Sequence, residues 1–182
     1  MIALLGAAAV YGLSAGFSPG PLLALVISQS VRYGVREGAK AAMAPLVTDL
    51  PIILLSVAIL RPLADSRAVL GLISMAGGLF VLYLASGCLR ATRLDLVELG
   101  QTPRSLGKGA AVNALNPHPY LFWLTVGGPA VLGAWSEGPA RAVAFVAVFS
   151  ACIVGAKLLV AVVAGRSGRL LSGAAYGVVM RA

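Results

Sequence analysis

From Ile2 to Val31 the chain runs for 30 residues without a charged side chain, and about 20 predominantly apolar residues already suffice for a helix that spans a bilayer. Four further blocks of that kind follow. Ala41–Leu60 carries one charge, Ala68–Leu89 none, Gly109–Ser136 none apart from His118, and Ala142–Ala164 one. In lipid, backbone polar groups must be paired within the segment or within a closed barrel, so uninterrupted blocks of this length predict helices. After Gly165 the uncharged run Leu170–Met180 is 11 residues long, too short to cross. The pattern predicts an all-α polytopic membrane protein with five transmembrane helices, a loop over 90–108 and a C-terminal stub over 165–182, forming a single domain.

Composition excludes the main alternatives. Hydrophobic residues make up 59% and charged residues 11% of the chain, against roughly 45–50% and about 25% in an ordinary soluble domain. A globule of this size could not hide that surplus from water. The formal net charge of +8 does not point to nucleic acid, because the basic residues fall in short gaps between apolar runs rather than in a stripe interleaved with aromatics. Cys88 and Cys152 lie in apolar stretches with no ligand or redox spacing. No positively charged segment precedes the first block, which is therefore read as a retained helix rather than a cleaved signal.

Charge in the gaps predicts orientation. Ten Lys and Arg residues lie in the gaps after the first, third and fifth blocks, and three (Arg61, Arg67 and Arg141) in the others. Basic residues favour the cytoplasmic side, which predicts an outward N-terminus and a plasma-membrane, multi-pass protein.

Two of the blocks are interrupted by paired prolines, Ser18-Pro19-Gly20-Pro21 in the first and Asn116-Pro117-His118-Pro119 in the fourth. Proline removes a helical donor and fixes φ, so each block is expected to split into two half-helices, with Pro21 and Pro117 at the first position of the new helix and Asn116 as its cap. Broken backbone at membrane depth survives only where protein or a water-filled cavity surrounds it. A helix start also offers free N–H groups to an anionic group such as a carboxylate. The first and fourth blocks each open a set of three, which predicts the 3+3 inverted-repeat plan of many secondary transporters. Gly12, Gly16 and Gly20, at i, i+4 spacing, read as a helix-packing ridge.

Ionisable residues inside spans are expensive and mark candidate sites. Asp49 lies in the second block and Lys157 in the fifth, each about 10–12 Å from the cytoplasmic end at 1.5 Å per residue. Equal depth allows an ion pair between them, but a functional role for Asp49 is the preferred reading. Asp49 is also suited to binding a coupling proton or a substrate ammonium. Lys157, on a long side chain, could instead snorkel to the interface. His118 sits beside the second break and is a residue type suited to proton exchange. No second histidine, no carboxylate pair within a span and no phosphate loop is present, so neither an enzyme nor a resident metal or cofactor is expected.

Phe17-Ser18-Pro19-Gly20-Pro21, Asp49-Leu50-Pro51 and Asn116-Pro117 followed by Phe122-Trp123 together resemble the lysine exporter (LysE/RhtB) family of amino-acid exporters over nearly the whole chain. The resemblance implies six transmembrane helices, here five and the start of a sixth, and secondary-active export of amino acids or related metabolites driven by a proton or ion gradient. It carries site roles onto Pro19, Gly20, Pro21, Asp49, Asn116 and Pro117, with Ser18, His118 and Lys157 as further candidates. Many members have lysine where this chain has His118. Ala182 falls where the sixth span should begin, which predicts a truncated reading of a longer gene product. The expected partners are a lipid bilayer, a small-molecule substrate and a coupling proton or ion; homo-oligomerisation is admitted and nucleic acid is not. The rival readings are a metal-ion exporter of related fold, short of ligands here, and a scaffold that transports nothing.

Overall fold

The computed structural model describes residues 1–63, the helical positions Leu72, Met75 and Leu79, and residues 104–170. Every regular element among the described residues is helical. The elements are α1 (Ile2–Phe17), α2 (Pro21–Tyr33), α3 (Val35–Ala42), α4 (Ala44–Leu60), a 3₁₀ turn (Arg61–Leu63), α5 (Ser105–Leu115), α6 (Pro117–Phe122), a π-helical turn (Trp123–Gly127), α7 (Gly128–Ser136) and α8 (Pro139–Leu170). The third block, most of the 90–108 loop and residues 171–182 lie outside the described residues.

By length and apolar composition two helical segments suffice to cross a membrane, Val35–Leu60 with 26 residues and Pro139–Ser167 with 29. α1 and α2 supply a third if taken as one broken span, bent by 62°. The described residues thus account for two or three of the five expected spans. Both long segments begin earlier than the uncharged blocks, at Val35 and Pro139 rather than Ala41 and Ala142, and α5 begins at Ser105 rather than Gly109. Helices continue past the apolar boundary because Arg36, Glu37, Lys40 and Lys108 are themselves adequate helix formers.

α1 lies along α8. Its buried residues Ala8, Gly12 and Gly16 repeat every four positions and form the stripe that faces the partner. A methyl at Gly12 would sit 2.6 Å from the Phe149 carbonyl oxygen, and one at Gly16 would sit 2.5 Å from Ala156 Cβ, so the glycines allow the backbones to touch. Gly20, the third member of the expected ridge, packs against nothing: a methyl there would meet no atom within 4 Å. The ridge therefore has two packing members, and Gly20 belongs to the break.

The core is apolar. One cluster joins Ala8, Ile52, Ile53, Trp123, Phe145, Phe149 and Ile153; a second joins Leu25, Val26, Ala41, Ala42 and Ala161. Leu46, Val47, Leu50, Leu54, Leu55 and Ile59 of α4 are all exposed, a contiguous apolar face of the kind that faces lipid or other membrane-embedded protein rather than water. Pro51 lies inside α4 and deprives the Val47 carbonyl of its helical donor. In the π turn the Gly128 N–H bonds to the Trp123 carbonyl, five residues back. A methyl at Gly128 would press on that same carbonyl oxygen and on Leu60 Cδ1.

Candidate functional site

Both interruptions form as the prolines dictate. Ser18 is held extended (φ −59°, ψ 125°) because a following proline disfavours the α region, and α1 ends at Phe17. Gly20 is also extended, and Pro21 opens α2 at its first position, where the missing N–H costs nothing. At the second break Asn116 is extended ahead of Pro117 (φ −79°, ψ 126°), and its Oδ1 accepts the backbone N–H of His118 at 3.1 Å. The expected cap is present.

A broken helix leaves carbonyls without donors, and at each break a distant or neighbouring side chain supplies one. Lys157 Nζ donates to the Gly16 carbonyl at 3.2 Å, placing a cation at the negative end of α1. Tyr120 donates its hydroxyl to the Ala114 carbonyl at 2.8 Å, bridging α5 and α6 across the second break.

The two breaks border one cavity of about 190 Å³. Ser18, Pro19 and Gly20 of the first break line it together with Asn116, His118 and Pro119 of the second, and so do Asp49 and Lys157. Pro21 and Pro117 are exposed and are not among its described lining residues; each starts the helix whose neighbours reach the cavity. Leu22 and Leu23, in the first turn of α2, are lining residues, and their N–H groups have no intrahelical acceptor. The corresponding donor in α6 is already taken by the Asn116 cap.

Asp49 is 5% and Lys157 4% exposed, so the lysine does not snorkel. Asp49 and Lys157 are near enough for their charges to act on each other, but they do not make the direct ion pair that equal depth allowed: among the described residues the direct pairs are Glu37 with Lys40 and Glu137 with Arg141. Each charge is anchored to a different wall. Asn113 Nδ2 on α5 donates to Asp49 Oδ1 at 3.0 Å and to Thr48 Oγ1 at 2.7 Å, while Lys157 is drawn to α1. The cavity is thus bordered by a buried carboxyl group held from α5 and a buried amine held by α1.

Asn113 and Thr48 are site residues that sequence reasoning passed over; a buried amide in an otherwise apolar block was the available signal. The aromatic wall was also missed. Phe122 stacks on Phe149 with centroids 5.1 Å apart, Trp123 meets Phe149 edge-on at 5.0 Å, and Tyr11 approaches Phe122 at 6.1 Å. All four line the cavity.

The sequence model of the LysE type translocator family matches residues 13–182. The chain belongs to that family. Membership in the LysE type translocators, a transporter family rather than an enzyme family, implies export of small molecules across a membrane. No individual characterised protein and no solved structure gives a match. The matched range includes both breaks, Asp49 and Lys157.

Proposed function

We propose that this LysE type translocator exports amino acids or closely related zwitterions across the plasma membrane, by alternating access coupled to a proton or ion gradient. The observation that carries the reading is that two proline breaks, separated by about a hundred residues of sequence, border a single cavity holding one buried carboxylate and one buried ammonium on opposite anchors. An amino acid presents the complementary pair.

In this reading the substrate ammonium meets Asp49. Its carboxylate meets Lys157, which has three donors and uses one on Gly16, together with the free N–H groups at the start of α2. Ser18, Pro19, Gly20, Asn116 and His118 shape the walls, while Pro21 and Pro117 act by starting the helices. Asp49 also serves as the carrier of a coupling proton when substrate leaves. The interrupted backbones would let the half-helices move against one another, in keeping with a 3+3 inverted repeat whose N-terminus lies outside.

The test is efflux from cells loaded with a panel of amino acids, comparing the parent with Asp49→Asn and Pro19→Ala variants whose membrane insertion is verified. Efflux of at least one amino acid that falls tenfold or more in Asp49→Asn is expected. Parent-like export by both variants would refute the reading.

A further inference from the structure

The cavity is graded along its length, and the gradient bears on the kind of side chain it accepts. On α8, Phe149, Ile153 and Lys157 recur every four residues and all line it, so one helix face runs from an aromatic ring to an ammonium over about 12 Å at 1.5 Å per residue. On α1, Tyr11 lies two turns before the Ser18 break on the same face. The charged end therefore gathers at the breaks. The aromatic cluster lines the other end, and in it Trp123 is 1% and Phe149 1% exposed.

Charge limits the substrate first. Among the described lining residues the buried ionisable groups are Asp49 and Lys157, one acidic and one basic, and His118 is exposed. An ammonium and a carboxylate use both. A third charge on the substrate would enter an apolar, aromatic compartment without a counter-charge, which is strongly unfavourable.

Size limits it next. A cavity of about 150 Å³ admits benzene, roughly 25 Å³ per non-hydrogen atom, so 190 Å³ suits about eight atoms, the size of valine. Resting on the amino-acid reading above, we infer that the transported class is neutral aliphatic amino acids of valine to leucine size, and that Ile153, between the ammonium and the aromatic floor, sets the upper limit.

The test uses the full chain in proteoliposomes loaded with single labelled amino acids. L-Valine, L-isoleucine and L-leucine are expected to leave at least tenfold faster than L-lysine, L-glutamate or L-tryptophan. L-Threonine, isosteric with valine, should trail valine by less, since an apolar pocket rejects an added hydroxyl only weakly. Ile153→Ala should enlarge the compartment and raise the phenylalanine-to-valine ratio about tenfold. Preference for lysine or glutamate, or equal rates across the panel, would overturn this inference and leave the exporter reading standing. Release of none of the panel would instead overturn the exporter reading itself.

Discussion

At the crossing of α1 on α8 the two backbones come close enough to leave no room for a methyl, and Gly16→Ala is the smallest change that tests it. The added methyl would lie 2.5 Å from Ala156 Cβ and 3.1 Å from the Ile153 carbonyl oxygen. Carbon atoms rest at about 3.5–4.0 Å, and neither a Cβ nor a backbone atom can rotate out of the way. The helices must part by about 1 Å or more, at a cost of about 1–3 kcal/mol for overpacking of this kind. The same movement would stretch the Lys157 bond to the Gly16 carbonyl, now 3.2 Å, beyond hydrogen-bonding range. Thermal unfolding in detergent should fall by about 2–10 °C, and export by at least tenfold. Ala156→Gly on the variant removes the opposing methyl and should restore about half of both losses, less than all because the Ile153 carbonyl remains close. A Gly16→Ala protein with parental melting and export would refute the reasoning. So would failure of Ala156→Gly to recover anything.

Three further outcomes follow from the geometry. Asn113→Leu leaves Asp49 and Thr48 without their shared donor; a loss of about 1–3 kcal/mol in stability and a clear fall in export are expected, measured by melting and efflux. Gly20→Ala should leave melting unchanged, because its backbone is extended and a methyl meets no atom within 4 Å. If export nonetheless collapses in that variant, the glycine is needed in another conformation of the cycle. Ser105→Ala removes the hydroxyl that bonds Gln29 at 2.9 Å and Glu37 at 2.7 Å. Ser105 is not among the described lining residues, so the variant should melt several degrees lower while leaving the concentration for half-maximal efflux unaltered.

What could be read from the chain alone is what depends on a residue and its immediate neighbours. Proline acts locally, so both breaks, the helix starts at Pro21 and Pro117 and the Asn116 cap were legible. Asp49 and Lys157 stood out because a charge in an apolar block has high contrast. Their failure to pair was not legible, since depth is a property of one helix whereas partner choice depends on which walls Asn113 and Gly16 occupy. Tyr11, Phe122, Trp123 and Phe149 had no contrast at all: an aromatic residue in an apolar block looks the same whether it faces lipid or a cavity. Gly12, Gly16 and Gly20 were a single pattern in sequence and two roles in space.

The π turn at Trp123–Gly127 means that part of the cavity wall is aimed by counting rather than by chemistry. One more residue is wound into that turn than an α-helix would hold. Deleting a single residue there would relax the turn to an α-helix and keep the faces on either side in register, whereas inserting one that no bulge absorbs would turn the chain on one side by about 100° relative to the other. Pro119, Phe122 and His118 would swing as a set while keeping their identities. Point substitutions alter this wall one side chain at a time; a one-residue insertion would rotate it whole, so insertions over 123–127 should recast selectivity more abruptly than any substitution in the lining.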